Sequence, residues 1–167
     1  MILEVRTVEP FYKNCFVVGC ERTHEAVLID PGDEVDQLVE IIHERKLEIR
    51  YILLTHAHID HITGVQTAKD KFNVPIYLHR DDLFLYESVV QQGAMFGIHA
   101  EALPPIDRFY DSSLIHFGDY EICVHHTPGH CPGGVCLQIG KKGSADKHLF
   151  VGDTLFAGSI GRTDLPG

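Results

Sequence analysis

One six-residue run, residues 56–61 (HAHIDH), constrains the fold of this chain more than any other feature. It directly follows a continuously apolar segment, residues 49–54 (IRYILL), whose composition predicts a buried strand. Histidines at positions i and i+2 point the same way on an extended backbone, so His56 and His58 can hold one cation together. The aspartate and histidine that close the run offer a second pair of ligands. The fold therefore has to place the end of this strand beside room for a metal.

Two further ligand candidates, His130 and Asp153, follow predicted strands later in the chain. Each lies beside Gly or Pro, where the backbone must turn. Imidazole and carboxylate ligands suit Zn²⁺, Fe or Mn better than Ca²⁺ or Mg²⁺. An aspartate that bridges two cations would hold them at the ~3.5–4 Å separation of two-metal sites. The predicted metal ligands are His56, His58, Asp60, His61, His130 and Asp153.

The pattern of apolar residues predicts one layered α/β domain over residues 1–167. Strands are expected at residues 2–8, 14–19, 26–30, 49–54, 76–78, 114–117, 120–127, 134–140 and 148–151. Helices are expected at 33–46, about 61–72 and about 80–92, and residues 93–112 are expected to form a loop. Strands interleaved with helices, followed by a run of strands, are typical of such a domain.

Composition narrows the possible partners and the compartment. A net charge of −10 argues against nucleic acid, because phosphate binding needs a basic face. No stretch approaches the ~20 apolar residues that span a membrane, and the first residues lack the pattern of a signal peptide. We therefore expect a cytoplasmic protein with a small-molecule substrate. The five cysteines are odd in number and show no C-x-x-C spacing, so reduced thiols are expected. The oligomeric state is left open.

Three segments that contain the candidate ligands resemble the metallo-β-lactamase superfamily, whose signature is H-x-H-x-D-H followed by a later His and a bridging Asp. The matching segments are residues 55–61 (THAHIDH), 127–134 (TPGHCPGG) and 152–156 (GDTLF). Residues 30–32 (DPG) also resemble the strand-end motif of the family, with Asp30 in a supporting position behind the ligands.

The resemblance implies an αββα sandwich with the site at one edge. It places His56, His58 and His130 on one metal, Asp60 and His61 on a second, and Asp153 between the two. The family has a seventh ligand, a histidine near its C-terminus, for which this sequence has no counterpart. We therefore expect the chain to be a C-terminally incomplete form of the fold.

Within the superfamily, glyoxalase II-type thioesterases (hydroxyacylglutathione hydrolases) are the most similar. This likeness implies hydrolysis of a glutathione thioester by a metal-bound hydroxide, with one or two Zn ions, or Fe or Mn. Asp60 is then a catalytic candidate that orients the nucleophile. The segment 161–167 (GRTDLPG) resembles glyoxalase II-like bacterial proteins and also the persulfide dioxygenases. Arg162 is a candidate to bind a substrate carboxylate, although a loop-fixing role fits it equally well.

Two other functions stay open. A persulfide dioxygenase would hold one Fe(II) with His56, His130 and Asp153. An inactive metal-binding remnant would bind metal weakly or not at all. The remaining histidines are expected to be bystanders: His24, His43, His79, His99, His116, His125, His126 and His148. Cys131 is expected to fill space in the turn that carries His130 rather than to react.

Overall fold

A computed structural model describes residues 1–8, 13–33 and 35–164 of the chain and contains two main β-sheets. Its longer strands are β1 (Ile2–Val8), β2 (Lys13–Gly19), β3 (Glu25–Ile29), β4 (Glu48–Leu53), β5 (Ile76–Leu78), β7 (Ile115–Phe117), β8 (Tyr120–His126), β9 (Val135–Lys141) and β10 (Lys147–Phe150). Two-residue strands are β6 (Arg108–Phe109), β11 (Leu155–Phe156) and β12 (Ser159–Ile160). The nine predicted strands are confirmed, with bounds that agree to within one residue.

The helices are α1 (Val35–Glu44), α2 (Ile59–Ile62), α3 (Val65–Phe72), α4 (Leu83–Glu87) and α5 (Val89–Phe96). Of the predicted helix 33–46, residue 34 lies outside the described residues. The predicted helix 80–92 is instead a 3-10 turn at Arg80–Asp82 followed by α4 and α5. The predicted loop 93–112 therefore contains the end of α5, and also β6.

The predicted helix 61–72 is broken in two at Gly64, because the backbone of the neighbouring turn lies against it. The amide of Gly64 donates to the carbonyl oxygen of Pro31 at 3.0 Å. A Cβ atom at Gly64 would lie 2.6 Å from that oxygen, so only glycine permits this approach. The break holds α2, with two of the ligand candidates, against the turn that follows β3.

The six-stranded sheet runs in the order β1-β2-β3-β4-β5-β6, and its last four strands are parallel. Parallel strands bring their carboxyl ends to one edge of a sheet, which is where α/β proteins place their sites. Asp30, the 56–61 run and His79 follow the ends of β3, β4 and β5. Residues far apart in the chain therefore meet at this edge.

Two hydrophobic clusters hold the layers together. One lies between the six-stranded sheet and all five helices, with Leu28 and Ile52 fully buried at its centre. The other lies between the two sheets, where Leu53 of β4 meets Ile122 and Leu137 of the four-stranded sheet, ordered β10-β9-β8-β7. The described residues thus form a helical layer and two sheets, and among them no helix covers the outer face of the second sheet.

Among the described residues, no helix combines the length and the apolar character that crossing a membrane requires.

A substitution pair tests the core between the sheets. Leu137 is 0% exposed, whereas Leu149 on the adjacent strand is 54% exposed. Leu137→Ala should lower the free energy of unfolding by about 2–5 kcal/mol, because it removes a buried side chain and leaves a cavity. Leu149→Ala should change it by less than ~0.5 kcal/mol. Urea denaturation of both variants measures the difference, and equal losses would contradict the two-sheet core.

Candidate metal centre

The fold brings the predicted metal ligands together from four places in the chain. His56 and His58 follow β4, and His61 lies in α2. His130 lies in the turn between β8 and β9, and Asp153 follows β10. The ring centroid of His56 lies 4.0 Å from that of His61, 4.8 Å from that of His58 and 5.0 Å from that of His130.

The ligand atoms form two overlapping groups, within each of which all atoms lie inside 4.8 Å of one another. The first contains His56, His58 and His130, and the second contains His56, His61 and Asp153. The first group is the one expected for a first metal. In the second, His56 stands where Asp60 was expected.

Asp60 lies close to the second group without joining it. Its Oδ2 atom is 3.5 Å from Nε2 of His61, which in turn lies 3.3 Å from Oδ1 of Asp153. The Asp60 side chain is in the first turn of α2 and lines the cavity beside the site. Its carboxylate is therefore positioned between the ligand cluster and the cavity.

Three buried imidazole nitrogens in this cluster have no hydrogen-bond partner among the described residues. They are Nε2 of His56, His58 and His61. Leaving a buried polar atom unpaired costs about 1–3 kcal/mol, so such atoms rarely persist without a partner. In addition, Nδ1 of His58 and Nε2 of His130 lie only 2.8 Å apart. A cation between His58 and His130 would bind these two facing nitrogens, and cations would likewise give partners to Nε2 of His56 and His61. The residues present therefore fit a metal.

The carboxylate of Asp30 sets which nitrogen of His56 and of His61 carries the proton. Thr55 Oγ1 donates to Asp30 Oδ2 at 2.7 Å, and it can then accept from Nδ1 of His56 at 3.1 Å. Nδ1 of His61 donates directly to the same carboxylate oxygen at 3.0 Å. Both Nδ1 atoms therefore hold protons, and the Nε2 atom of each ring is the one left for a metal. Metal-binding histidines typically have their second nitrogen held in this way.

His130 is oriented by a backbone carbonyl rather than a carboxylate. Its Nδ1 atom donates to the carbonyl oxygen of Arg162 at 2.8 Å, which leaves the Nε2 lone pair free. The Arg162 guanidinium pairs with Asp164 through two contacts of 2.7 and 2.8 Å. The described contacts of Arg162 are thus those of a residue that fixes its loop, and its predicted contact with a substrate carboxylate stays a prediction.

Burial and neighbouring charges give these histidines different pKa values. Burial lowers the pKa of His56 well below its ordinary range, and the charges of His61 and His58 lower it further. Burial, followed by the charge of His130, lowers the pKa of His58 to about 4. Burial also acts to lower the pKa of His61, but the charge of Asp30 and the contact with Asp153 outweigh it and raise that pKa to about 9. Near neutral pH and without a metal, His56 and His58 are therefore neutral, whereas His61 is a cation whose Nε2 proton a bound metal has to displace.

A second buried carboxylate, Asp82, was not anticipated from the sequence. Its Oδ2 atom accepts from the amide of Ala57 at 3.0 Å and from Sγ of Cys131 at 3.2 Å. Its Oδ1 atom accepts from the amide of Gly133. Asp82 therefore joins the 56–61 run to the turn that carries His130. Cys131 is buried there as expected, and burial together with the charge of Asp82 raises the pKa of its thiol.

Gln92 of α5 holds the same run from the helical side. Its Oε1 atom accepts from the amide of Ile59 at 3.0 Å, and its Nε2 atom donates to the carbonyl of Ala57 at 3.0 Å. A glutamine inside a helix gives no signal of this role in the sequence. It satisfies backbone groups that the irregular run would otherwise leave unpaired.

His79 and His126, two of the expected bystanders, stack on each other with ring centroids 3.9 Å apart. With Asp81 they form a third group of ligand-type atoms within 4.8 Å, at the protein surface. Nε2 of His126 donates to the carbonyl of Pro132 at 2.8 Å, and Nδ1 of His79 accepts from the amide of Asp81 at 3.3 Å. These contacts pack the His130 turn against the 3-10 turn.

A cavity of about 580 Å³ opens beside the ligand cluster. His58, Asp60, His130 and Asp153 line one end of it. Apolar side chains of α4, α5 and the β11–β12 hairpin contribute to the rest of its wall. The hairpin was not predicted, because strands of two residues are too short to show a periodic pattern.

Residues 8–167 of the chain match the family model of the Metallo-beta-lactamase superfamily. Hydroxyacylglutathione hydrolase GloC of Haemophilus influenzae is 35% identical over 170 residues, which cover 99% of this chain and 77% of that protein. The crystal structure of BLEG-1 B3 metallo-beta-lactamase has a TM-score of 0.86 at 33% identity, covering 99% of this chain and 78% of that one. The crystal structure of TTHA1623 in a di-iron-bound form has a TM-score of 0.83 at 36% identity, covering 98% of this chain and 78% of that one.

A mixed α/β sandwich with a histidine and aspartate cluster at the edge of its sheet defines a metallo-hydrolase class of protein. The chain belongs to the Metallo-beta-lactamase superfamily, whose members are generally metal-dependent hydrolases.

Asp30 offers a test of how the ligands are supported. Asp30→Asn keeps the shape of the side chain but removes the charge that holds the His61 and Thr55 contacts. The affinity for Zn²⁺ should fall about 10–100-fold, as it does when a partner behind a ligand is lost. Competition with a chromophoric chelator measures the affinity. Asp33→Asn is the control, because Asp33 is exposed in the same turn, and an equal loss in both variants would refute the role of Asp30.

The Asp82 contacts are tested by a pair of adjacent glycines. A Cβ atom at Gly133 would lie 2.6–2.7 Å from atoms of Asp82, whereas at Gly134 the nearest atoms are 3.3 Å away. Gly133→Ala should destabilise the protein by about 1–3 kcal/mol and weaken Zn²⁺ binding, because Asp82 has to move. Gly134→Ala should have a clearly smaller effect on both. Thermal unfolding and metal titration provide the comparison, and unchanged Zn²⁺ binding in Gly133→Ala would contradict the link.

Proposed function

We propose that this chain is a metal-dependent hydrolase of acyl thioesters, of the glutathione thioester type. The observation that carries the proposal is the cluster formed by the unpartnered Nε2 atoms of His56 and His61 and by the facing nitrogens of His58 and His130. They gather next to a cavity large enough for a small substrate. Ligands and substrate space thus adjoin each other, as a hydrolytic site requires.

His56, His58 and His130 would hold one cation, and His61, Asp153 and Asp60 would hold a second. Zn²⁺ fits this donor set, and Fe or Mn are alternatives. A bound cation of this kind polarises a carbonyl group and lowers the pKa of a coordinated water to about 7. The substrate carbonyl would lie at the end of the cavity that His58 and Asp60 line.

The protein's own part in the reaction is to position the substrate and to receive a proton. Asp60, at the cavity wall, would accept a hydrogen bond from the attacking water and so aim it at the carbonyl carbon. Collapse of the tetrahedral intermediate then breaks the carbon–sulfur bond and releases a thiolate. A thiol has a pKa of about 8.5, so its thiolate leaves without a strong general acid.

The cavity wall supports a thioester over an amide. Among the described residues that line it, the only carboxyl and imidazole groups are those of His58, Asp60, His130 and Asp153, all in or beside the ligand cluster. An amine leaving from an amide or a β-lactam would depend on Asp60 to return the proton that it took from the water, whereas a thiolate leaves without a proton. The name of the GloC relative describes hydrolysis of a glutathione thioester, which agrees with this choice.

Metal removal tests the proposal on S-lactoylglutathione. The metal-free protein should lose turnover, and Zn²⁺, Fe²⁺ or Mn²⁺ should restore it. His56→Ala should lower kcat/KM by more than about 100-fold, since it removes a ligand rather than a supporting partner. His43→Ala, at an exposed position of α1, should leave kcat/KM unchanged. The thiol that hydrolysis releases is measured with a thiol reagent. Turnover that survives complete metal removal would rule out the mechanism.

An oxygenase with one iron is the second candidate. His130 Nε2 lies 3.6 Å from Asp153 Oδ2, so a set of His56, His130 and Asp153 has the donors for Fe(II). The TTHA1623 structure contains two iron ions, so the assays should include iron-loaded protein. Oxygen uptake with glutathione persulfide by the iron-loaded protein, without hydrolysis of lactoylglutathione, would favour this candidate. Absence of metal binding altogether would favour a remnant.

A further inference from the structure

The cavity beside the ligand cluster is apolar over most of its wall. Ile59 and Leu85 form buried parts of it, at 2% and 5% exposed. Its outer wall is made by side chains that stand partly or largely in solvent: Phe84, Met95, Phe156 and Ile160. Met95 is 68% exposed and Ile160 71% exposed. Contiguous exposed apolar surface at a site is typical of a binding groove for an apolar group.

The charged groups of this cavity do not suit the carboxylates of a glutathione moiety. Arg162 is the one cationic side chain among the described residues that line it, and Asp164 occupies its guanidinium through both Nε and Nη2. The inner end, where Asp60 and Asp153 lie, is occupied by the cations and the reacting carbonyl in the metal-loaded protein, so the carboxylates of glutathione would have to lie along the apolar outer part. A carboxylate placed here would lose water without gaining a partner, which is costly. The cavity is therefore poorly suited to the thiol part of glutathione.

We infer that the cavity receives the acyl part of the thioester, and that this acyl group is an apolar chain rather than a short hydroxyacyl group. The inference rests on the proposed thioesterase function and specifies its substrate class. With the carbonyl at the end lined by His58 and Asp60, the chain extends along Leu85 and Phe84 toward Met95. The thiol part then projects away from the apolar wall.

A series of acylglutathiones of increasing length tests the inference on the metal-loaded protein. The probes are the S-lactoyl, acetyl, butanoyl, hexanoyl and octanoyl conjugates, each assayed by thiol release at the same low concentration. Burial of each methylene should raise kcat/KM by about two- to fourfold until the cavity is filled. The octanoyl conjugate, which has five more carbons, should therefore exceed the lactoyl conjugate by at least ~30-fold.

Variants at the rim distinguish the apolar wall from a general effect of hydrophobic substrates. Met95→Gln combined with Ile160→Thr should flatten the dependence on chain length, because both make the outer wall polar. Val90→Gln is the matched control: Val90 is 46% exposed on the same helix as Met95 and does not line the cavity. It should leave the dependence unchanged. Met95 and Ile160 are both exposed, so their substitution should not disturb folding. A thermal unfolding midpoint and a metal content equal to those of the unsubstituted protein verify that the double variant folds.

The outcomes separate this inference from the proposed function. Turnover of the lactoyl conjugate with no gain from longer chains would overturn the apolar acyl group and leave the thioesterase standing. A chain-length dependence that the double variant does not flatten would also overturn it. No turnover of any thioester by the metal-loaded protein would refute the thioesterase itself.

Discussion

The site depends on one buried charge, the carboxylate of Asp30, which is 1% exposed. Burying a lone carboxylate is costly, and three donors offset the cost: Thr55 N, Thr55 Oγ1 and His61 Nδ1. The residue also adopts a left-handed backbone, with φ of 50°, which is uncommon for a residue with a side chain. This local arrangement holds both rings by Nδ1 and so leaves Nε2 of His56 and of His61 for the metal cluster. Without it, the two rings would have no reason to share a tautomer.

Asp82 and Gln92 have a related task, since they hold the irregular backbone of the 56–61 run. A segment that leaves a strand and has not yet begun a helix has amides and carbonyls that need partners. Asp82 supplies an acceptor for Ala57 N, and Gln92 bonds to Ala57 O and Ile59 N. Because Asp82 also binds the turn of His130 through Gly133 N, both sides of the cluster share one support.

Local patterns in the sequence were sufficient for the nine longer strands, and they indicated five residues whose ligand atoms the structure groups together: His56, His58, His61, His130 and Asp153. Buried strands have a continuous or alternating apolar pattern, and His56, His58 and His130 stand directly after such segments or just beyond them. The break at Gly64 could not be predicted, because its cause is the carbonyl of Pro31, more than thirty positions earlier. The same is true of Arg162, whose backbone oxygen, rather than its side chain, contacts His130. Tertiary contacts of this kind leave no periodic signal.

His56 belongs to both observed ligand groups, and this explains why the second group differs from the expected one, which contained Asp60. Thr55 engages Nδ1 of His56, so a single lone pair, on Nε2, is left for a metal. That lone pair cannot serve two cations at once, although both groups contain His56. If a cation takes His56 together with His58 and His130, a second has only His61 and Asp153, and it needs Asp60, 3.5 Å from His61 Nε2, as a third ligand. Asp60 therefore matters for holding a second cation and not for the first, while its place at the cavity wall is independent of either.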